Sequence, residues 1–81
     1  MPKFYLDLHE CGLTSADEHG FDFPDVGVAR EQALAAARSI MAAEVQEGRL
    51  CLDCRIEVRD ADRRSVMTLP FRAAIVLSGG A

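Results

Sequence analysis

Apolar and polar residues alternate along three stretches of the chain, which is the pattern of β-strands that bury one face. The first stretch contains Phe4, Leu6 and Leu8. The second keeps one parity over Leu50, Leu52, Cys54, Ile56 and Val58. The third does so over Met67, Leu69, Phe71, Ala73, Ile75 and Leu77. These stretches predict three strands, and a further short strand is expected at either 13–16 or 21–23.

An alanine-rich segment between the first two stretches predicts one helix, from Val28 to about Val45. Asp25 is a favourable N-cap because its carboxylate accepts a hydrogen bond from a first-turn amide. Gly48 is the expected stop signal. The stripe at helical spacing consists of Val26, Ala29, Ala33, Ala37, Ile40 and Met41. Its small side chains imply that the helix axis lies close to the sheet.

The order β(β)αββ predicts an α+β fold, a two-layer sandwich with one helix on one face of a three- or four-stranded antiparallel sheet. With 81 residues the chain is expected to form a single domain, 1–81, with 78–81 as a flexible tail. Pro70 interrupts the last strand. Because proline has no amide donor, this strand is predicted to be an edge strand or to be bulged there.

Beyond Arg72 the chain is apolar on both parities, so some apolar residues are expected to face away from the helix layer. The predicted interface residues are Tyr5, Val66, Ala74 and Val76. An apolar edge strand favours pairing with another chain. We therefore expect self-association, with homodimerisation as the simplest form.

The charge balance is acidic, with nine Lys and Arg against thirteen Asp and Glu and a net charge of −4. Nucleic-acid binding depends on basic residues that neutralise phosphates, so none is expected from this chain alone. A basic protein partner would suit the charge. No apolar run approaches the roughly 20 residues of a membrane span, and Asp7 disrupts any signal-peptide core. The odd cysteine count, three, argues against a disulfide framework, and we expect a cytoplasmic protein.

The pair Cys51 and Cys54 has the CxxC spacing of some zinc and redox sites. Within a strand, residues three apart point to opposite faces, which argues against both roles here. A metal- or thiol-dependent sensor is the alternative function, and its residues would be His9, Cys11, His19 and Cys51. Against it, the sequence lacks a tight ligand pair such as H-x3-H, and His9 and His19 also fit a plain strand residue and a plain loop residue.

No catalytic signature is present in the sequence. No serine lies in an elbow motif beside a base, and no glycine-rich phosphate loop occurs. A chain this short also buries only about 60% of its unfolded surface, which leaves little material for a roofed cleft. We therefore predict no catalytic residue, no cofactor-binding residue and no metal ligand. The preferred function is a non-enzymatic protein-interaction or regulatory module.

Several short motifs give the chain a family resemblance. They are Phe4 to His9, Gly12, Asp17 to Gly20, Phe23-Pro24-Asp25, Arg30 to Leu34 and Ile56 to Asp60. Together they resemble a family of small, mainly alphaproteobacterial proteins known as a domain of unknown function. That family often has glycine in the second hairpin where this chain has Arg63. Since a left-handed turn would strain arginine, the resemblance implies that this loop takes another form.

The same turn motifs are similar to those of the HicB-type antitoxin fold. There, a strand, a hairpin and a Phe-Pro-Asp step lead into an alanine-rich helix. This likeness implies a protein that masks a small RNase toxin, often as an oligomer. The added DNA-binding segment that some of those proteins carry has no counterpart here.

Overall fold

The computed structural model describes residues 2–10 and 12–78. In these ranges one long helix follows three strands and precedes two more. The elements are β1 (Lys3–Glu10), β2 (Leu13–Ser15), β3 (Phe21–Asp22), α1 (Val26–Gln46), β4 (Arg55–Arg59), β5 (Ser65–Pro70) and a 3-10 turn (Phe71–Ala74). The α+β fold is confirmed, with strands followed by a helix and then by strands. Both short segments, 13–16 and 21–23, contribute a strand to the sheet.

The sheet is antiparallel, with the order β2-β1-β4-β5. Strand β2 pairs with the C-terminal end of β1, where Glu10 lies opposite Leu13. Strand β3 pairs with the N-terminal end of β1, where Lys3 lies opposite Asp22. Strand β5 lies at the edge, as its proline predicted.

Local signals fix both ends of α1. The Asp25 carboxylate accepts a hydrogen bond from the Val28 amide at 2.9 Å, which confirms the predicted N-cap. At the other end Gly48 adopts a φ of +84°, and its amide donates to the Val45 carbonyl at 2.9 Å. The Arg49 amide donates to Glu44 at 3.0 Å, which completes a Schellman motif. The helix therefore begins two residues earlier than predicted and ends near the expected stop.

The core lies between α1 and the inner face of β1, β4 and β5. Ala29, Ala33 and Ala37 on α1 are buried, so the helix does approach the sheet closely. Ile56 and Val58 of β4 are buried beneath it, and each such side chain contributes about 2 kcal/mol. Met41 is also buried, whereas Val26 is exposed because it lies at the very start of the helix.

The predicted strand through Leu50 is wrong in its first half. Residues 50–54 have no strand structure, and β4 begins only at Arg55. The neighbouring strand explains this: Arg55 lies opposite Pro70, which has no amide to donate to the ladder. The chain after Pro70 leaves the sheet, and the Phe71 amide donates to the Cys54 carbonyl at 2.9 Å.

The predicted last strand also ends early. It stops at Pro70, and the 3-10 turn Phe71–Ala74 packs against α1, where Arg38 Nε donates to the Ala74 carbonyl at 2.7 Å. Residues three apart share a face in such a turn. Ala74 is consequently only 4% exposed, so its predicted outward position is wrong. Residues 76–78 carry no regular secondary structure, and the rest of the predicted tail, 79–81, lies outside the described residues.

A helix that crosses a bilayer must be both long and apolar. Within the described ranges, α1 is long but not apolar enough to cross a membrane, and no other helix qualifies.

Candidate functional site

Charged side chains cover the face of the sheet that α1 leaves open. Asp7 is buried there and accepts hydrogen bonds from Arg59 Nε at 2.7 Å and from the Asp17 amide at 2.9 Å. Arg59 Nη2 also pairs with Glu57 at 2.8 Å. The hydrogen bond to Asp7 raises the pKa of Arg59 above its usual range, although partial desolvation opposes it. The Asp7–Arg59 ion pair thus links β1 to β4 across the sheet.

Asp17 ties the loop before β3 to this face. Its carboxylate accepts hydrogen bonds from the amides of Leu6, His19 and Gly20, at 3.1, 3.1 and 2.9 Å. Burial raises the pKa of Asp17, but these amides and the charge of His19 outweigh it, so the pKa is lowered from its ordinary value of 3.8. Gly20 is required beside it because a Cβ there would lie 2.8 Å from Lys3 Cγ, at a φ of +75°. The motif Asp17 to Gly20 thus has a structural role.

His9 lies on the open face at the other end of β1. Its Nδ1 is 3.0 Å from Thr14 Oγ1, a hydrogen bond whose direction depends on the tautomer. Its Nε2 is 3.6 Å from Glu57 Oε2, which is ion-pair distance but too long for a hydrogen bond. Nε2 is buried and has no hydrogen-bond partner among the described residues. The His9 ring is therefore held by Thr14 at Nδ1, while its buried Nε2 lies beside the Glu57 carboxylate.

A cleft of about 390 Å³ opens beside His9, between the β1–β2 hairpin and the irregular segment before β4. The residues that line it are His9, Gly12, Leu13, Thr14, Cys51, Asp53 and Arg55. Its volume is in the range of small-molecule sites. Arg55 brings a positive charge to the wall, while the Asp53 carboxylate is paired at 3.0 Å with Arg72.

Cys51 and Cys54 lie together at the base of this region. Their sulfur atoms are 2.8 Å apart, so the prediction that they point to opposite faces is wrong. The prediction assumed a strand, whereas Leu52 and Asp53 form a bend that turns the two side chains towards each other. Cys54 is buried in the core and Cys51 is half-buried at the cleft.

The four residues predicted for a sensor are only partly assembled. His9 and Cys51 line the same cleft. His19 lies at the opposite end of β1, where its carbonyl accepts a hydrogen bond from Lys3 Nζ at 3.3 Å. Six residue-to-residue steps along the strand lead from Lys3 to His9, or roughly 20 Å. Cys11 lies outside the described residues, and within residues 2–10 and 12–78 no group of three or more His, Cys, Asp and Glu side chains is arranged to hold a metal.

The predicted interface residues do not form one patch. Ala74 is buried, and the Tyr5 ring is covered by Arg63, whose guanidinium carbon lies 4.2 Å from the ring centroid. Arg63 has a φ of +64°, so the hairpin keeps the left-handed turn despite lacking glycine. Val66 and Val76 do remain exposed, at 41% and 90%.

An apolar groove of about 300 Å³, which sequence reasoning missed, lies between α1 and the β1–β3 edge. Phe21 and Phe23 stack in it with ring centroids 5.7 Å apart. The other residues that line it are Leu6, Gln32, Ala35, Ala36 and Ser39. The available signal was the alternation of Phe21 and Phe23 around Asp22, which is too short to be distinctive.

Comparison with known proteins gives one finding. A family model described as a domain of unknown function (DUF6894) matches residues 3–72, which covers every strand of the sheet and α1. No curated protein and no solved structure matches the chain significantly. The first resemblance suggested by the motifs is thereby supported, whereas no link to the HicB-type antitoxins is found.

Proposed function

The chain belongs to the DUF6894 family. We propose that it is a non-enzymatic protein-interaction module, which self-associates through β5 and the segment after β5. The observation that carries the proposal is the exposure of apolar side chains in this region. Val76 and Leu77 are 90% and 63% exposed, and Val66 within β5 is 41% exposed. Covering such side chains gains about 2 kcal/mol each, which favours a protein contact.

The backbone of β5 supports the same surface. Within the part of the chain that the structure describes, β5 pairs with β4 on one side, and no strand is paired with its other side. Its outward amides and carbonyls can therefore pair with a strand of a second chain. Antiparallel pairing of β5 with β5 would place the same residues on both sides of a two-fold axis. The two sheets would then join into one.

The test is the mass of the protein in solution. Wild type at micromolar concentration should elute with twice its 8.8 kDa monomer mass by light scattering. Val76→Asp should elute as a monomer, since a buried carboxylate at the interface lacks a partner. Val45→Asp is the matched control, because Val45 is a valine of 58% exposure on α1, and it should remain dimeric. A monomeric wild type, or a dimeric Val76→Asp, would show that this surface is not a self-association site.

A second candidate is favoured by the net charge of −4, which suits a basic protein partner in the cytoplasm. A tagged chain would be recovered from its native lysate and the co-purifying proteins identified by mass spectrometry. One stoichiometric basic partner supports an acidic adaptor, and a small RNase would favour an antitoxin-like role. Recovery of the chain alone would leave self-association as the proposal.

A further inference from the structure

We propose that Cys51 and Cys54 form a reversible dithiol–disulfide site whose oxidant is a low-molecular-weight disulfide such as glutathione disulfide. The first observation is the sulfur separation of 2.8 Å, closer than two non-bonded sulfurs ordinarily approach. A disulfide bond is about 2.0 Å long, so bond formation needs a movement of less than about 1 Å. The exchange takes place within one chain and does not depend on the proposed self-association.

The local backbone explains why the two sulfurs meet. The bend at Leu52 and Asp53 turns the chain between them, and the Phe71 amide holds the Cys54 carbonyl at 2.9 Å. The Arg72 guanidinium pairs with Asp53 at 3.0 Å on the outer side of the bend. In known redox sites the CxxC spacing works through such a turn. The bend therefore brings the two sulfurs close together before any oxidation.

The two cysteines differ in accessibility, and this difference assigns their roles. Cys51 is half-buried and lines the cleft of about 390 Å³, which is open to a small molecule. Cys54 is buried behind it, and its thiol is placed to donate a hydrogen bond to the Cys51 sulfur. Cys51 is therefore the attacking residue and Cys54 the resolving residue.

The exchange proceeds in two balanced steps. The Cys51 thiolate attacks one sulfur of glutathione disulfide, the oxidant's S–S bond breaks, and one glutathione leaves as a thiolate that takes up a proton. Cys54 then loses its proton to solvent and attacks Cys51 Sγ, which forms the Cys51–Cys54 bond and releases the second glutathione. Two electrons and two protons pass in total from the protein to the oxidant. Excess reduced glutathione reverses both steps, as expected of a cytosolic redox-sensing pair.

The sequence offers a direct assay on the intact chain. Trypsin cleaves after Arg49 and Arg55, so both cysteines lie in the peptide 50–55, while Cys11 lies in the peptide 4–30. The protein is equilibrated in glutathione buffers of rising oxidised fraction, quenched in acid, alkylated and digested. Peptide 50–55 should change from doubly alkylated to an internal disulfide that is lighter by two hydrogen atoms than the unmodified peptide, and dithiothreitol should reverse the change.

Three variants test the role of each cysteine in this assay, and one metal measurement tests for bound zinc. Cys51→Ser should slow the reaction of peptide 50–55 with glutathione disulfide on the order of tenfold or more, because Cys54, the one cysteine left in that peptide, is buried. Cys54→Ser should stop the reaction at a mixed disulfide on Cys51, provided that circular dichroism shows it folded. Cys11→Ser tests whether the third cysteine contributes, because a pair that reacts by itself keeps the transition of peptide 50–55 in this variant. Double alkylation of peptide 50–55 at every ratio of oxidised to reduced glutathione overturns the proposal, as does a disulfide cross-link between this peptide and peptide 4–30.

Equimolar bound zinc that prevents oxidation until a chelator removes it also overturns the proposal and indicates a thiolate metal site instead.

Discussion

At the scale of single residues, Asp17 is the clearest case of one side chain holding a loop. Its carboxylate binds three amides from two segments, and these amides lower its pKa below 3.8 against the opposing effect of burial. A carboxylate with a lowered folded pKa stabilises the fold above its unfolded pKa, near 3.9. That contribution is lost as the pH falls through the lower folded pKa.

Replacing this carboxylate should therefore have an effect that depends on pH. Asp17→Asn should lower the free energy of unfolding by about 1–3 kcal/mol at pH 7, since hydrogen bonds to a charged acceptor are lost. The difference in the free energy of unfolding between Asp17→Asn and the wild type should become smaller as the pH falls below about 4. Urea denaturation at several pH values measures this gap, with Glu18→Gln at the exposed neighbouring position as control. A gap that stays constant with pH would show that the Asp17 charge does not matter.

Arg63 combines an unfavourable backbone conformation with a favourable side-chain contact. Its φ of +64° strains a residue with a Cβ, and its guanidinium lies over Tyr5. Arg63→Ala should destabilise, because it loses the contact and keeps the strain. Arg63→Gly loses the contact but relieves the strain, so it should be more stable than Arg63→Ala by about 1 kcal/mol. Thermal denaturation of both variants tests this, and equal stability would mean that the turn carries no strain.

At the scale of elements, the two ends of α1 are set by a handful of local hydrogen bonds. Gly48 is the residue that lets the last turn close, at a φ of +84°, and a Cβ there would meet no atom within 4 Å. Gly48→Ala should therefore cost about 1 kcal/mol for conformational reasons alone. Gly48→Asn should cost less, because asparagine tolerates a positive φ. Chemical denaturation compares the two, and a neutral Gly48→Ala would contradict the Schellman cap.

The same local character explains which elements the sequence could predict. The Asp25 cap, the Gly48 stop and the alternation in β1 depend on neighbouring residues, so pattern and composition predicted them. The bend before β4 and the 3-10 turn after β5 depend on Pro70 lying opposite Arg55, a contact made only in the folded sheet. The alternation of apolar and polar residues continues through both segments, so the sequence pattern did not indicate where the strands end. The pairing of Cys51 with Cys54 was missed for this reason, although their spacing was visible.

At the scale of the whole molecule, the −4 charge and the apolar β5 surface favour different kinds of partner. Raising the salt from about 0.05 to 0.5 M shortens the screening length from roughly 14 to 4 Å. Binding of a basic partner should weaken under this change, while self-association through apolar side chains should persist. Light scattering at both salt concentrations measures the second case. Dissociation of a wild-type dimer at high salt would show that charge, and not the β5 surface, holds it together.

The central pairing of the sheet also determines when the protein can fold during its synthesis. The buried Asp7 in β1 binds Arg59 in β4, which follows 52 residues later. Ribosomes add about 5–20 residues per second, so β1 waits roughly 3 to 10 s for that partner. Meanwhile α1 can form, but its alanine stripe has no complete sheet to pack on. A nascent chain stalled before β4 would therefore expose its apolar stretches to chaperones and proteases.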